Sequence, residues 1–118
     1  MNSVILIGHV GDNPIFHYEN KELCCTFNFN VQRTLNKKHH SNRRTRKTCR
    51  TCSSQTIDSI PVVLWEQEAR FTRRHFNKDN YAKHLVMITG EIHICYYYED
   101  NRLKWTPKVI ADNIVIVD

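Results

Sequence analysis

Residues 23–32 alternate with a period of two between an apolar set and a mostly polar set. The apolar set is Leu23, Cys25, Phe27, Phe29 and Val31. The intervening set is Cys24, Thr26, Asn28, Asn30 and Gln32. Because successive side chains of a strand point to opposite faces of a sheet, this pattern predicts a strand with one face in the core.

Four further segments are predicted as strands and one as a helix. The strands cover residues 4–10, 60–65, 85–98 and 103–117, and the helix covers residues 66–77. Pro61 favours an edge or an early strand position, and Gly90 within the fourth strand suggests a bulge or a sharp bend. At 118 residues the chain is predicted to form one domain, residues 1–118.

The order of these elements predicts the fold class. Five strands with a helix between the third and the fourth is the order of the OB-fold, a partly open, five-stranded Greek-key barrel that binds oligonucleotides. The chain is therefore predicted to be all-β with one short helix. An extended basic hairpin loop joins the second and third strands. We call residues 34–57 the basic loop, because the apolar pattern stops there.

No acidic residue lies between Glu22 and Asp58, whereas eight basic ones do. They are Arg33, Lys37, Lys38, Arg43, Arg44, Arg46, Lys47 and Arg50. The chain has 17 basic and 12 acidic side chains, net +5; without these eight it has nine against twelve, net −3. Such concentrated charge attracts a polyanion and indicates contact with a nucleic acid. A solvated loop without a ligand is the alternative.

The basic loop also contains four residues that could bind zinc: His39, His40, Cys49 and Cys52. Cys49 and Cys52 have the C-x-x-C spacing of half a zinc site. One such pair is a weak signal, adjacent histidines rarely bind one ion together, and the surrounding arginines oppose a dication. The sequence therefore favours a loop with incidental thiols, and it predicts no metal and no cofactor.

Several classes of protein are not supported by the sequence. The longest apolar runs, residues 4–7 and 85–88, are far too short to span a membrane, and the N-terminus does not resemble a signal peptide. Five cysteines, two of them adjacent, do not suggest a disulfide framework, which favours the cytoplasm. The chain has no phosphate-binding Gly-rich loop, nucleophile elbow or cluster of acidic residues, so we expect it not to be an enzyme.

Five segments, in order, resemble the bacterial single-stranded DNA-binding protein family. They are residues 1–14 (MNSVILIGHVGDNP), 26–34 (TFNFNVQRT), 61–65 (PVVLW), 88–92 (ITGEI) and 104–114 (KWTPKVIADNI). The resemblance covers nearly the whole chain outside the basic loop. It implies an OB-fold that binds and protects single-stranded DNA, independently of base sequence, in replication, repair or recombination.

The resemblance also implies which residues hold the DNA. The family stacks bases on aromatic side chains and binds phosphates in a cationic groove. Its aromatic positions fall at Trp65, at Tyr97 and at Trp105, the last opposite Tyr97 across the final hairpin. The chain departs from the family at Leu35 and Ser59, where relatives have tryptophans, which predicts weaker or more loop-dependent binding.

The three consecutive tyrosines support part of this assignment from the residues alone. Alternate residues of a strand face opposite ways, so Tyr97 is expected on one face and Tyr96 and Tyr98 on the other. Tyr97 is expected to be exposed, because its face also carries charged and polar residues. For Trp65 and Trp105, packing within the barrel is an equal alternative.

The resemblance extends to assembly and partners. It implies a homotetramer, with a homodimer as the alternative, associated with the bacterial nucleoid in the cytoplasm. Relatives usually continue into an acidic C-terminal tail that recruits other proteins, whereas this sequence stops at Asp118. It is therefore expected to bind DNA without that recruitment, and it is also similar to the tailless primosomal replication proteins of the same fold. An OB-fold RNA-binding protein and a protein-interaction adaptor remain as alternatives.

Overall fold

The computed structural model describes residues 1–33 and 56–118, which form six strands and one helix. The strands are β1 (Val4–Val10), β2 (Ile15–Glu19), β3 (Glu22–Gln32), β4 (Ile57–Trp65), β5 (Val86–Glu99) and β6 (Arg102–Ile116). The helix α1 (Gln67–His75) lies between β4 and β5. The predicted fold class, a β protein with one short helix, is confirmed.

Five of the strands close into a ring. The sheet runs in the order β1, β5, β6, β4, β3, and β1 returns to pair with β3 through His9 opposite Asn30 and Val10 opposite Phe29. All pairs in the ring are antiparallel except β4 and β6, which run parallel with Val62 opposite Val109. These five strands are the five that the sequence predicts.

The sixth strand, β2, was not predicted. It pairs with β3 from Ile15 opposite Thr26 to Glu19 opposite Glu22. The connecting turn consists of Asn20 and Lys21, with φ angles of 51° and 67°. Two successive positive φ angles are typical of the tight hairpin turn whose twist matches antiparallel strands. Because the second turn residue is lysine instead of glycine, the usual sequence signal of this turn is absent.

The core lies inside the ring and confirms the predicted alternation of β3. Leu23, Cys25, Phe27 and Phe29 are all buried there. The other core side chains are Val10, Val62, Leu64, Ala69, Phe76, Val86, Ile88, Val109, Ala111 and Ile114. Cys24, predicted for the polar face of β3, is only 2% exposed. Its cross-strand neighbours on the outer face are His17 and Trp65, which flank the small thiol on both sides.

The helix α1 packs against β3, β4 and β6. Ala69 and Thr72 are buried, and so is Phe76, which follows the helix. Thr72 satisfies its hydroxyl by donating to the carbonyl oxygen of Glu68 at 2.8 Å. The Glu66 carboxylate accepts a hydrogen bond from the backbone N–H of Leu23 at 3.0 Å, which ties the start of the helix to β3. Within residues 1–33 and 56–118, no helix is long and apolar enough to cross a membrane.

Gly90 marks the point where β5 and β6 leave the ring, as the sequence predicts. The pairing slips between Thr89 and Gly90, so that Gly90 lies opposite Ala111 and Asp112 has no cross-strand partner. The Asp112 carboxylate instead accepts a hydrogen bond from the Thr89 hydroxyl at 2.8 Å. A Cβ atom on Gly90 would collide with the carbonyl oxygen of Ile110. Glycine is therefore required by close backbone approach at a bulge.

Beyond Gly90 the two strands continue as a two-stranded arm. We call residues 91–108 the arm: within it β5 pairs with β6 from His93 opposite Lys108 to Glu99 opposite Arg102. At the base of the arm, the Asn2 side chain bonds both backbone groups of Ile92, accepting from its N–H at 2.9 Å and donating to its carbonyl oxygen at 2.6 Å. Asn2 thus continues the hydrogen bonding of β1 by two more bonds along the edge of β5.

Candidate nucleic-acid interface

The outer face of β3 and β4 carries a strip of polar and apolar side chains. Opposed residues are Asn28 and Pro61, Thr26 and Val63, and Cys24 and Trp65. Their neighbours in each strand point into the core, which fixes these residues outward. The strip runs from the end of β3 that leads to the basic loop to Trp65, about 25 Å at the usual strand rise.

β6 lies beside this strip and adds a cation to it. The parallel pairing sets Val63 opposite Ile110 and Val62 opposite Val109. Since Val62 and Val109 are buried, Val63 and Ile110 face outward together, and so does Lys108 two positions before Ile110. An open cavity of about 220 Å³ lies there. Its lining is Asp12, Ile15, Thr26, Phe27, Asn28, Pro61, Val62, Val63 and Lys108.

The turn between β1 and β2 fixes one side of this cavity. The Asp12 carboxylate accepts from the backbone N–H of Asn28 at 2.8 Å and from its side-chain N–H at 2.9 Å. The backbone N–H of Gly11 donates to the carbonyl oxygen of Asn28 at 2.7 Å. These bonds hold the Asn28 amide in one orientation at the cavity. Two N–H donors also offset the negative charge of Asp12, which would otherwise repel a phosphate.

Trp65 lies at the end of the strip and is half-buried. Its ring lies on the outer face of β4, neither fully in the core nor fully exposed, and its role as a base platform stays a prediction. Ser59, where the sequence departs from the family resemblance, lies on the same face of β4 opposite Asn30. The end of the strip next to the basic loop, opposite to Trp65, therefore carries short polar side chains instead of a second aromatic ring.

The arm extends the strip through Lys108. Lys108 lies opposite His93, Thr106 opposite Cys95, and Lys104 opposite Tyr97. Directly opposed residues of an antiparallel pair share a face, so Tyr97 and these cations lie on the same side of the arm as the cavity-lining face of Lys108. Tyr97 is 43% exposed. Trp65, the cavity and Tyr97 therefore lie along one continuous surface, which we call the outer strip.

Trp105 does not lie on the outer strip. The expectation that it opposes Tyr97 is wrong: Trp105 lies opposite Tyr96, on the other face of the arm. The register follows from a two-residue turn, Asp100 and Asn101, with φ angles of 52° and 61°. The sequence indicates a turn across residues 99–102 but not which two residues form its tip, and a slip of one residue moves a side chain to the other face.

Arg33 is engaged at the base of the basic loop. Its Nε lies 2.9 Å from Asp58 Oδ2, and its Nη2 lies 2.8 Å from Asp58 Oδ1. These hydrogen bonds raise the pKa of Arg33 and lower the pKa of Asp58. The Arg33 backbone N–H also donates to the carbonyl oxygen of Thr56 at 2.7 Å, which continues the pairing of β3 and β4. Asp58 thus compensates the charge of Arg33, one of the eight predicted cations.

The other predicted cations lie outside the described residues: Lys37, Lys38, Arg43, Arg44, Arg46, Lys47 and Arg50. The same is true of the candidate zinc ligands His39, His40, Cys49 and Cys52, and of Leu35. Among residues 1–33 and 56–118, no three His, Cys, Asp or Glu side chains come together as a metal site. The cavity residues Thr26, Asn28 and Lys108 were not predicted as site residues, although the first two belong to the polar face of β3.

Comparison with known proteins gives two results. The sequence model of the single-strand binding protein family matches residues 1–117. The chain is also 24% identical, over 121 aligned positions, to a protein named single-stranded DNA-binding protein 2 from Clostridium acetobutylicum. That alignment covers 100% of this chain and 77% of the relative.

Proposed function

The chain belongs to the single-strand binding protein family, and on this basis we propose that it binds single-stranded DNA along the outer strip, independently of base sequence. The family implies the OB-fold, whose ligands lie on the face of its second and third barrel strands and on the adjoining loops. In this chain those strands are β3 and β4. The strip is therefore on the face that this fold uses for oligonucleotides.

The observation that carries the proposal is the combination of aromatic rings and cations on one surface. Trp65 and Tyr97 offer flat rings, and two cations lie on the same face: Lys108, and Lys104, whose Nζ is 3.4 Å from the Glu99 carboxylate. Aromatic rings stack on any base because every base has a π-face, while cations track the phosphates. This arrangement supports binding that does not depend on base identity.

The basic loop is proposed to supply most of the electrostatic attraction. β3 and β4 pair as far as Gln32 opposite Ile57, so the loop begins and ends at one end of the outer strip. Seven of the eight clustered cations lie within residues 34–55, beyond Arg33. A strand bound along the strip would pass the base of the loop, where its phosphates can bind the loop cations.

The wider biological role is also a proposal. We propose a DNA-binding protein rather than an enzyme, acting to protect single strands in replication, repair or recombination. We also propose that it forms a homotetramer, with a homodimer as the alternative, in the bacterial cytoplasm. The exposed side chains of Ile5 (67%) and Ile7 (53%) on β1 support self-association, because strand residues of this size are usually covered. A primosome-type accessory protein and an OB-fold RNA-binding protein are the alternatives.

Competition among poly-dT, poly-U and duplex DNA tests the ligand, and substitutions on the outer strip test the site. Tyr97→Ala is expected to cost about 1–3 kcal/mol of single-strand affinity through lost stacking, roughly a 5- to 150-fold weaker Kd. Tyr18→Ala is the matched control, because Tyr18 is a 67% exposed tyrosine on β2, outside the strip. We expect it to leave the Kd unchanged. Equal losses in both variants, or preference for duplex DNA, would contradict the proposal.

A further inference from the structure

The face of the arm opposite Tyr97 is apolar along its whole length. We call it the apolar arm face, and it consists of Ile92, Ile94, Tyr96, Tyr98, Leu103, Trp105 and Pro107. All seven side chains are exposed. The three aromatic residues are the most exposed among the larger ones, at 66% for Tyr96, 78% for Tyr98 and 63% for Trp105.

This face is the continuation of the core side of β5 and β6. Val109 and Ala111 lie on the same side of β6 and are only 3% and 7% exposed. Burial ends where the strands leave the ring at Gly90: Ile92 and Ile94, just beyond it, are 42% and 46% exposed. Core-type residues thus continue beyond the core, which is the pattern expected of a surface that packs against another molecule.

The two faces of the arm differ in charge, and this difference indicates which kind of molecule each face binds. The Tyr97 face carries charges of both signs: Lys108, Lys104 at 3.4 Å from the Glu99 carboxylate, and Glu91 at 3.6 Å from His93. The apolar arm face carries no charged side chain in the described strands, so it offers nothing for a phosphate backbone. In a two-fold contact each side chain meets the same surface of the other copy, and like charges would repel. A charge-free apolar face is self-complementary in this sense.

The exposed area of this face approaches what a specific protein contact needs. Three aromatic residues, each about two-thirds exposed, present roughly 300–500 Å² of surface, and three large aliphatic residues add to this. Two such faces packed together would bury an area that approaches the roughly 1,200–2,000 Å² of a specific protein interface. Left uncovered, the same face would be larger than the usual exposed apolar patch of a monomer, about 300–600 Å².

We propose that the apolar arm face is a self-association surface, on which the same face of a second copy of this chain packs about a two-fold axis. The inference rests on the proposed homo-oligomer and identifies one surface that builds it. It assigns different partners to the two faces of one arm: single-stranded DNA to the Tyr97 face and a second copy to the Trp105 face.

The test introduces like charges into the apolar arm face of the full chain. One variant carries Tyr96→Lys and Trp105→Lys, and a second carries Tyr96→Glu and Trp105→Glu. Each is expected to have half the mass of the wild type by sedimentation equilibrium, because equal charges repel across the two-fold axis. An equimolar mixture of the two variants is expected to recover the wild-type mass. Both substituted residues are more than 60% exposed, so thermal unfolding should show an intact fold.

A control variant with His93→Lys and Thr106→Lys adds two charges to the other face of the arm and is expected to keep the wild-type mass. A wild-type mass in the two-lysine variant, or a monomeric wild type, would overturn the proposal.

A neutral variant with Tyr96→Ser and Trp105→Ser tests whether this face binds DNA or a second copy of the chain. Unchanged affinity for a short oligo-dT supports the proposal, whereas lost affinity with unchanged mass would assign this face to DNA. Failure of the wild type to bind oligo-dT would refute the proposed function and leave the mass result valid.

Discussion

At the scale of single residues, the outer strip contains a native chemical probe of DNA binding. Cys95 is half-buried and lies on the Tyr97 face of the arm, opposite Thr106. Cys24 and Cys25 are buried, and burial raises the pKa of both thiols, that of Cys25 to about 12. Because the thiolate is the nucleophile, these two residues should resist alkylation in the folded protein.

Alkylation with iodoacetamide, followed by peptide mapping, is therefore expected to modify Cys95 and spare Cys24 and Cys25. Saturation with oligo-dT should slow the modification of Cys95, since DNA on the outer strip covers its face. Alkylation in denaturant serves as the control and should modify all three residues. An unchanged rate at Cys95 in saturated complex would count against a DNA path along this face of the arm.

The ion pair between Arg33 and Asp58 predicts a pH dependence of stability. Arg33 lowers the Asp58 pKa below its ordinary value of 3.8 in the folded state. The pair therefore stabilises the fold fully above that value, and the contribution is lost as pH falls through the lower folded pKa. Arg33 stays charged throughout this range, so only Asp58 titrates.

Asp58→Asn is accordingly expected to lower the Tm at pH 7 and to have a smaller effect near pH 2. The two side chains are partly exposed, 32% for Arg33 and 44% for Asp58, so solvent screening keeps the effect small. Glu19→Gln on β2 provides a control, because the contact of that carboxylate with His17 is long, at 3.7 Å. A Tm difference between wild type and Asp58→Asn that is constant with pH would contradict the ion-pair account.

At the scale of elements, Gly90 determines whether the arm can leave the ring. Gly90→Ala is expected to destabilise the fold by about 1–3 kcal/mol, because its methyl group meets the backbone oxygen of Ile110, which cannot rotate away. Denaturant unfolding measures this free energy. Thr89→Ala, at the neighbouring position with an outward side chain, is the matched control and should cost less, mainly the hydrogen bond to Asp112. Equal stability of wild type and Gly90→Ala would show that the bulge tolerates a side chain.

The elements also show what sequence patterns can and cannot predict. The alternation of β3 and the glycine of β5 predicted a half-buried strand and a bend, and both are present because each reflects local chain geometry. β2 was missed because it is short and largely exposed, so it has no apolar alternation. The register of the arm was missed because it depends on which two residues form the turn, Asp100 and Asn101, and neither is a glycine.

As with the strands, only part of the candidate site could be predicted from the sequence. Tyr97 was predicted on an exposed face from alternation alone, and the structure places it there. Trp105 was assigned to the same surface by resemblance, and a one-residue difference in register places it on the opposite face. The role of Lys108 depends on the parallel pairing of β4 and β6, which brings together residues far apart in sequence. A long-range contact of this kind leaves no pattern in either strand by itself.

At the scale of the whole molecule, charge is divided between the clustered cations and the rest of the chain. The eight cations between Glu22 and Asp58 account for more than the net charge of +5, and the remainder has a net charge of −3. Attraction to DNA should therefore depend on where the positive charge lies rather than on its total. Single-strand affinity falls with salt with a slope of about −0.7 per phosphate neutralised.

Four substitutions to glutamine in the basic loop, at Arg43, Arg44, Arg46 and Lys47, are expected to flatten this slope by roughly two to three units. The measurement is the Kd for oligo-dT as a function of salt concentration.

The control replaces four exposed cations in and after α1 by glutamine: Arg73, Arg74, Lys78 and Lys83. Both variants have a net charge of +1, because each removes four of the five net charges. The α1 variant should keep the wild-type slope. Equal flattening in the two variants would mean that total charge controls binding, and an unchanged slope in the loop variant would mean that the basic loop does not contact the bound strand.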